Sequence, residues 1–200
     1  FSGTFMPDRG DASTRQPIPT DKLRVIQKAS QTTDDEPRWL VALISDTGIR
    51  LSEAAGLARE DIVLDADIPH VIIRPHQWRR LKTKGSERTL PLVGASLWAA
   101  KRAVKASQHS PYLFPRYCNE KGCKANSASA ALNKWLKPRA NEDAVVHSLR
   151  HSMRDRLRAV ECPSDIIDQI GGWSSSTVGA SYGKGYELPV LAKWMKMMEW

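Results

Sequence analysis

The sequence predicts a mainly α protein with one small antiparallel β-sheet, an α+β class, and two observations predict it. Apolar residues recur three and four positions apart through most of the chain from Thr20 onward, the spacing that lines one face of a helix. The interruption at 70–92, "HVIIRPHQWRRLKTKGSERTLPL", mixes β-branched and charged residues around a Lys-Gly-Ser turn, which reads as strands joined by a hairpin.

Residues 1–16, "FSGTFMPDRGDASTRQ", contain too few aliphatic side chains to order themselves, so a disordered linker is expected there. The first helix is expected in "TDKLRVIQKAS", with Thr20 as a capping residue before Leu23, Ile26 and Ala29. A second follows in "EPRWLVALISDTGI", where Trp39, Leu40, Leu43 and Ile44 repeat the pattern. Beyond the hairpin, helical texture returns in "GASLWAAKRAVKAS", "SASAALNKWLK", "HSLRHSMRDRLRAV", "PSDIIDQI" and "LPVLAKWMKMMEW". No fixed-period repeat appears, and 41% hydrophobic content in 200 residues suffices for one core, so 17–200 is expected to be one domain.

The formal charge of +8 favours an anionic partner without choosing among nucleic acid, lipid or acidic protein. No apolar run approaches the length of a membrane span. The chain starts at Phe1 with no leader-like pattern, and Cys118, Cys123 and Cys162 read as unpaired, which together fit a reducing cytoplasm. The "CNEKGC" pair has no second ligand pair at a workable distance, so no metal site is expected.

The most informative element is the helix from His147 to Val160. At about 100° per residue, His147, Arg150, His151, Arg154 and Arg158 fall on one side, while Leu149, Met153, Leu157 and Val160 fall on another. The second stripe suits a core and the first an anionic ligand. Upstream, "DTGIRLSEAAGL" places Arg50 after a turn-permitting Gly48, with Glu53 one helical turn on to hold it.

These pieces resemble the tyrosine recombinases, the phage integrase family. "TGIRLSEAAGL", a basic hairpin ending "ERTLPL", "HSLRH", "GGWSS" and a late tyrosine occur in the family's order. The resemblance implies the catalytic-domain fold of that family and a metal- and ATP-independent enzyme with no cofactor, which breaks and rejoins double-stranded DNA through a covalent 3′-phosphotyrosyl link.

Carried onto this sequence, it makes Tyr182 the nucleophile, nine residues after Trp173, which stands where most relatives have histidine. Arg50 and Arg150 would clamp the phosphate, His147 would handle the phenol proton, and Lys84 would protonate the leaving oxygen, with Lys82 as rival. Glu53 would support Arg50 and His151 would stand beside His147. A phenol of pKa about 10 needs such cationic surroundings to become phenolate. An indole donates but neither accepts nor titrates, which leaves Trp173 as a donor or a packing group.

Tyr186 is a competing nucleophile, whereas Tyr112 and Tyr117, amid prolines, read as packing residues. The small residues around Tyr182 suggest a segment able to swing into the site. The resemblance also implies a separate helical DNA-clamping domain before the linker, absent from these 200 residues. Leu191, Trp194, Met195 and Met198 give the C-terminal tail an apolar face, expected to join a neighbouring subunit on DNA or else to cover its own domain. A DNA-binding regulator without cleavage activity and a topoisomerase-like relaxer remain as alternatives.

Overall fold

The computed structural model describes residues 16–83, 86–173 and 185–200. The expected linker therefore lies outside the described residues except for Gln16, as do Lys84, Tyr182 and the small-residue segment around Tyr182. The fold is mainly helical with a small antiparallel sheet, as the sequence predicts.

Helix α1 spans Thr20–Thr33, α2 Glu36–Thr47 and α3 Leu51–Ala55. Thr20 is the first residue of α1 rather than its cap, because Pro19 holds the cap position and no side chain bonds the helix end. Asp35 caps α2 through a bond from the Arg38 N–H. Every residue of α2 from Leu40 to Thr47 is buried, so this helix is the axis of the core, packed against α1, α4 (Gly94–Ala106) and α6 (Val146–Ala159). Its buried Asp46 is saturated: it accepts from Gln27 at 2.8 Å, Arg156 at 2.8 Å and the Ala95 N–H at 2.8 Å. Unpaired, such a carboxylate would cost several kcal/mol.

Strands β1 (Ile62–Val63), β2 (His70–Ile73) and β3 (Arg88–Pro91) form one sheet in that order, with Val71 opposite Leu90 and Ile73 opposite Arg88. The sequence reading recovers β2 and β3 and misses β1, whose two residues are too few for a period-2 signal. A further ribbon, β4 (Cys118–Asn119) with β5 (Gly122–Cys123), leads into α5 (Ala125–Leu136). Cys118 and Cys123 face each other across it and form a disulfide, correcting the expectation of three unpaired cysteines; Cys162 alone is free. Helix α7 (Ser164–Gly171) and α8 (Leu188–Met197) complete the chain. Helix α8 buries Leu191, Met195 and the following Met198 in its own domain, against β3 and α6. Among the described residues no helix is long and apolar enough to cross a membrane, and no cluster of His, Cys, Asp or Glu could hold a metal ion.

Candidate active site

The site begins where α2 ends. Gly48 adopts φ +62°, and an added Cβ would lie 2.1 Å from the Met153 Cε, so glycine here allows both the left-handed turn and the close approach of α6. The chain then enters α3 with Arg50 at the cap position. Glu53 accepts from the Arg50 backbone N–H at 3.0 Å and from its Nη1 at 2.6 Å. The predicted Arg50–Glu53 pair is thus present, but Glu53 is buried rather than superficial.

Helix α6 brings two predicted residues to the same place. His147 is exposed near its start, and Arg150 is 2% exposed. The expected continuous basic face is therefore split, with Arg150 turned inward and Arg158 exposed beside Asp155 at 3.3 Å. Helical geometry gives the reason: Arg150 stands about 20° from the core residue Leu157 around the axis and about 60° from His147. Arg50, His147 and Arg150 share one cleft of about 140 Å³ with Ser129 and Asn133 of α5, room for a phosphate-sized group when a water occupies about 30 Å³. Asn133 ties the two helices together by accepting the Val146 N–H at 2.9 Å. His151 lies behind His147, their ring centres 5.0 Å apart.

The C-terminal end of α7 orients the guanidiniums. Gly172 takes φ +61°, the Trp173 N–H bonds back to Asp168 O at 3.0 Å, and the Gly172 N–H to Gln169 O at 3.2 Å, a Schellman closure. The next three carbonyls are left for side chains. Arg88 Nε donates to Ile170 O at 2.9 Å, Arg150 Nη2 to Gly171 O, and Arg50 Nη2 to Gly172 O at 3.3 Å. The partial negative charge at a helix C-terminus favours all three. Arg150 also donates to Gly48 O through Nη1. Trp173 follows directly, its ring 4.3 Å from the Arg150 guanidinium carbon and 4.6 Å from that of Arg154.

Burial, with repulsion from Arg50 and Arg88, pushes the Arg150 guanidinium down to about 9. Burial also lowers Arg88, against the opposing pull of Glu53. For Glu53, burial resists ionisation, but Arg88 and Arg50 outweigh it and leave the carboxyl below its ordinary value. Positive charge is thus concentrated in low dielectric, where an incoming anion gains most.

Of the other predicted residues, Lys82 is exposed on the hairpin. Tyr186 is held elsewhere: its hydroxyl donates to Asp165, and its backbone bonds Gln169 at 2.7 and 2.8 Å. Tyr117 is buried and Tyr112 packs edge-on against Trp78, as expected of packing residues. Sequence reasoning missed Arg88, Ser86 and Asn133. Arg88 stands in the "ERTLPL" that carries part of the resemblance, yet nothing local separates it from an exposed strand charge.

The fold and site together define a mainly helical domain with an arginine-lined cleft assembled from α3, α5 and α6, its guanidiniums held by carbonyls at the end of α7. The phage integrase family model matches residues 18–186, and the chain belongs to that family. It is 29% identical over 161 residues to the tyrosine recombinase XerD of Corynebacterium glutamicum, a match covering 74% of this chain and 48% of the relative. The chain thus spans about half the length of that relative. Among solved structures it resembles XerA recombinase, with TM-score 0.64 and 16% identity over 82% of this chain and 57% of the other. It also resembles a lambda integrase tetramer bound to a Holliday junction, with TM-score 0.58 and 14% identity over 86% and 49%. At these identities the solved structures share its fold.

Proposed function

We propose that this chain is the catalytic domain of a site-specific DNA recombinase that cuts and rejoins double-stranded DNA through Tyr182. The observation that carries this reading is the opening of Arg50, Arg150 and His147 onto one cleft. The Tyr182 oxygen attacks the phosphorus, the bond to the 5′-oxygen breaks, and a 3′-phosphotyrosyl link and a 5′-hydroxyl result. His147 takes the phenol proton, and Lys84 or Lys82 gives one to the departing oxygen. The two guanidiniums neutralise the charge that gathers on the non-bridging oxygens in the transition state. Each terminal nitrogen of Arg150 has a second N–H beyond the one it gives to a carbonyl.

The test is incubation of the full-length protein with a nicked suicide DNA site, followed by denaturing electrophoresis. Wild type yields a covalent adduct and Tyr182→Phe none; equal adduct from Tyr182→Phe would refute the assignment. Salt-sensitive DNA binding with no adduct from wild type would favour the non-cleaving regulator instead.

We also propose self-association on DNA through the C-terminal tail. Because α8 covers its own core, this requires the tail of one subunit to exchange into another. Deleting residues 188–200 should abolish multimers on DNA in sedimentation; multimers persisting without the tail would exclude that route.

A further inference from the structure

We propose that Arg88 is a positioning residue for Arg50, acting through each group that orients the Arg50 guanidinium. The proposal rests on the reading of Arg50 as the phosphate-binding group.

Arg50 donates from Nη1 to Glu53 Oε1 at 2.6 Å and to Ser86 Oγ at 3.3 Å, and from Nη2 to Gly172 O at 3.3 Å. Arg88 bonds two of the residues that supply these acceptors, Glu53 and Ser86, and the chain just before the third. Its Nη2 donates to the second oxygen of Glu53 at 3.1 Å, and its Nη1 to the carbonyl of Ser86 at 2.7 Å. Its Nε donates to Ile170 O at 2.9 Å, two residues before Gly172. The guanidinium also lies so close to Gly172 that a Cβ there would meet Nη1 at 2.8 Å. One planar side chain thus joins the α3 turn, the hairpin and the end of α7, with only 5% of it exposed.

A structural ion pair would need only the bond to Glu53. Here three N–H groups of a rigid fork reach three separate segments, an arrangement that an ammonium on a flexible stem cannot copy. Charge supports the same role. Glu53 is a single carboxylate between two guanidiniums, and Arg88 occupies the oxygen that the Arg50 side chain does not use. Without Arg88, Arg50 is free to chelate Glu53 with both terminal nitrogens and turn away from the cleft.

The experiment is single-turnover adduct formation on suicide DNA by the full-length protein. Arg88→Lys and Arg88→Gln should slow cleavage by about 100-fold, the scale of a small misplacement of a reacting group. Adding Arg88→Lys to Arg50→Ala should cause no further loss. DNA with a neutral methylphosphonate at the cleaved position removes the charge that Arg50 meets, and should bring Arg88→Lys to within about tenfold of wild type. Additive losses in the double variant, or equal slowing on both DNAs, would overturn the proposal.

A measurement without catalysis separates this from the recombinase reading. By nitrogen NMR, rotation about the Arg50 Cζ–Nη bonds should be slow in wild type and fast in folded Arg88→Gln. Unchanged rotation overturns the role of Arg88, whereas absence of any wild-type adduct overturns the recombinase reading alone.

Discussion

The Trp173 ring stacks against the Arg150 guanidinium, 4.3 Å from ring centre to guanidinium carbon, with Arg154 at 4.6 Å from the same ring. An indole here offers its π-face, which attracts cations whether or not its N–H has a partner. Phenylalanine keeps a face and loses the N–H; alanine loses both. Trp173→Phe should therefore stay within about 1 kcal/mol of wild type in urea denaturation, while Trp173→Ala should lose about 2 kcal/mol or more. Equal losses would show that the stack contributes nothing and that the N–H is the function of this residue.

Gly171 gives the stack its room. An added Cβ would fall 1.8 Å from two carbons of the Trp173 ring. Alanine within a helix ordinarily gains about 1 kcal/mol over glycine, but overpacking against a rigid ring costs about 1–3 kcal/mol. The collision wins, so Gly171→Ala should lower the melting temperature and shift the tryptophan fluorescence. A melting temperature above wild type would mean that Trp173 moves aside freely.

How far the sequence reveals this site follows from the range of the forces involved. The apolar stripes of α2 and α6 are local and periodic, so helices, turn and hairpin are legible, as is the Arg50–Glu53 pair within one helical turn. The burial of Arg150 is less so, because it stands at the edge of the apolar stripe and the carbonyls that hold it inward, those of Gly48 and Gly171, are 102 and 21 residues away. Arg88 is illegible, since its partners Glu53 and Ile170 are 35 and 82 residues away. Nor does a five-residue cysteine spacing distinguish a clipped ribbon from two separate thiols. Tyr182 and Lys84, the two assignments most dependent on family resemblance, lie outside the described residues.

Acid should act on the site through Glu53. Its folded pKa lies below the ordinary value, which for glutamate is about 4.3. A depressed carboxylate contributes stability that is fully present above the unfolded pKa and is lost as pH falls through the folded one. Near neutral pH, Glu53→Gln leaves Arg88 and Arg50 uncompensated in a buried site and should cost about 3 kcal/mol in urea denaturation. The gap between variant and wild type should begin to narrow below the unfolded value of about 4.3 and close as pH falls through the lower folded pKa, where the wild-type carboxyl protonates too. A gap constant from neutral pH into that range would show that the charge of Glu53 does not stabilise the fold.

Tyr186 tests which tyrosine acts. The hydrogen bond from its hydroxyl to Asp165 raises the phenol above its ordinary value and lowers the carboxyl. A carboxylate partner opposes formation of the phenolate that attack on phosphorus requires. The backbone bonds to Gln169 further bind this residue to α7. Tyr186→Phe should therefore form adduct on suicide DNA at close to the wild-type rate, with the DNA-linked peptide carrying Tyr182 by mass spectrometry. Asp165→Asn removes the opposing charge, so NMR titration of the Tyr186 ring should show its midpoint falling toward about 10 without any gain in cleavage. Loss of the adduct in Tyr186→Phe, or a DNA-linked peptide joined at Tyr186, would transfer the nucleophile to that residue.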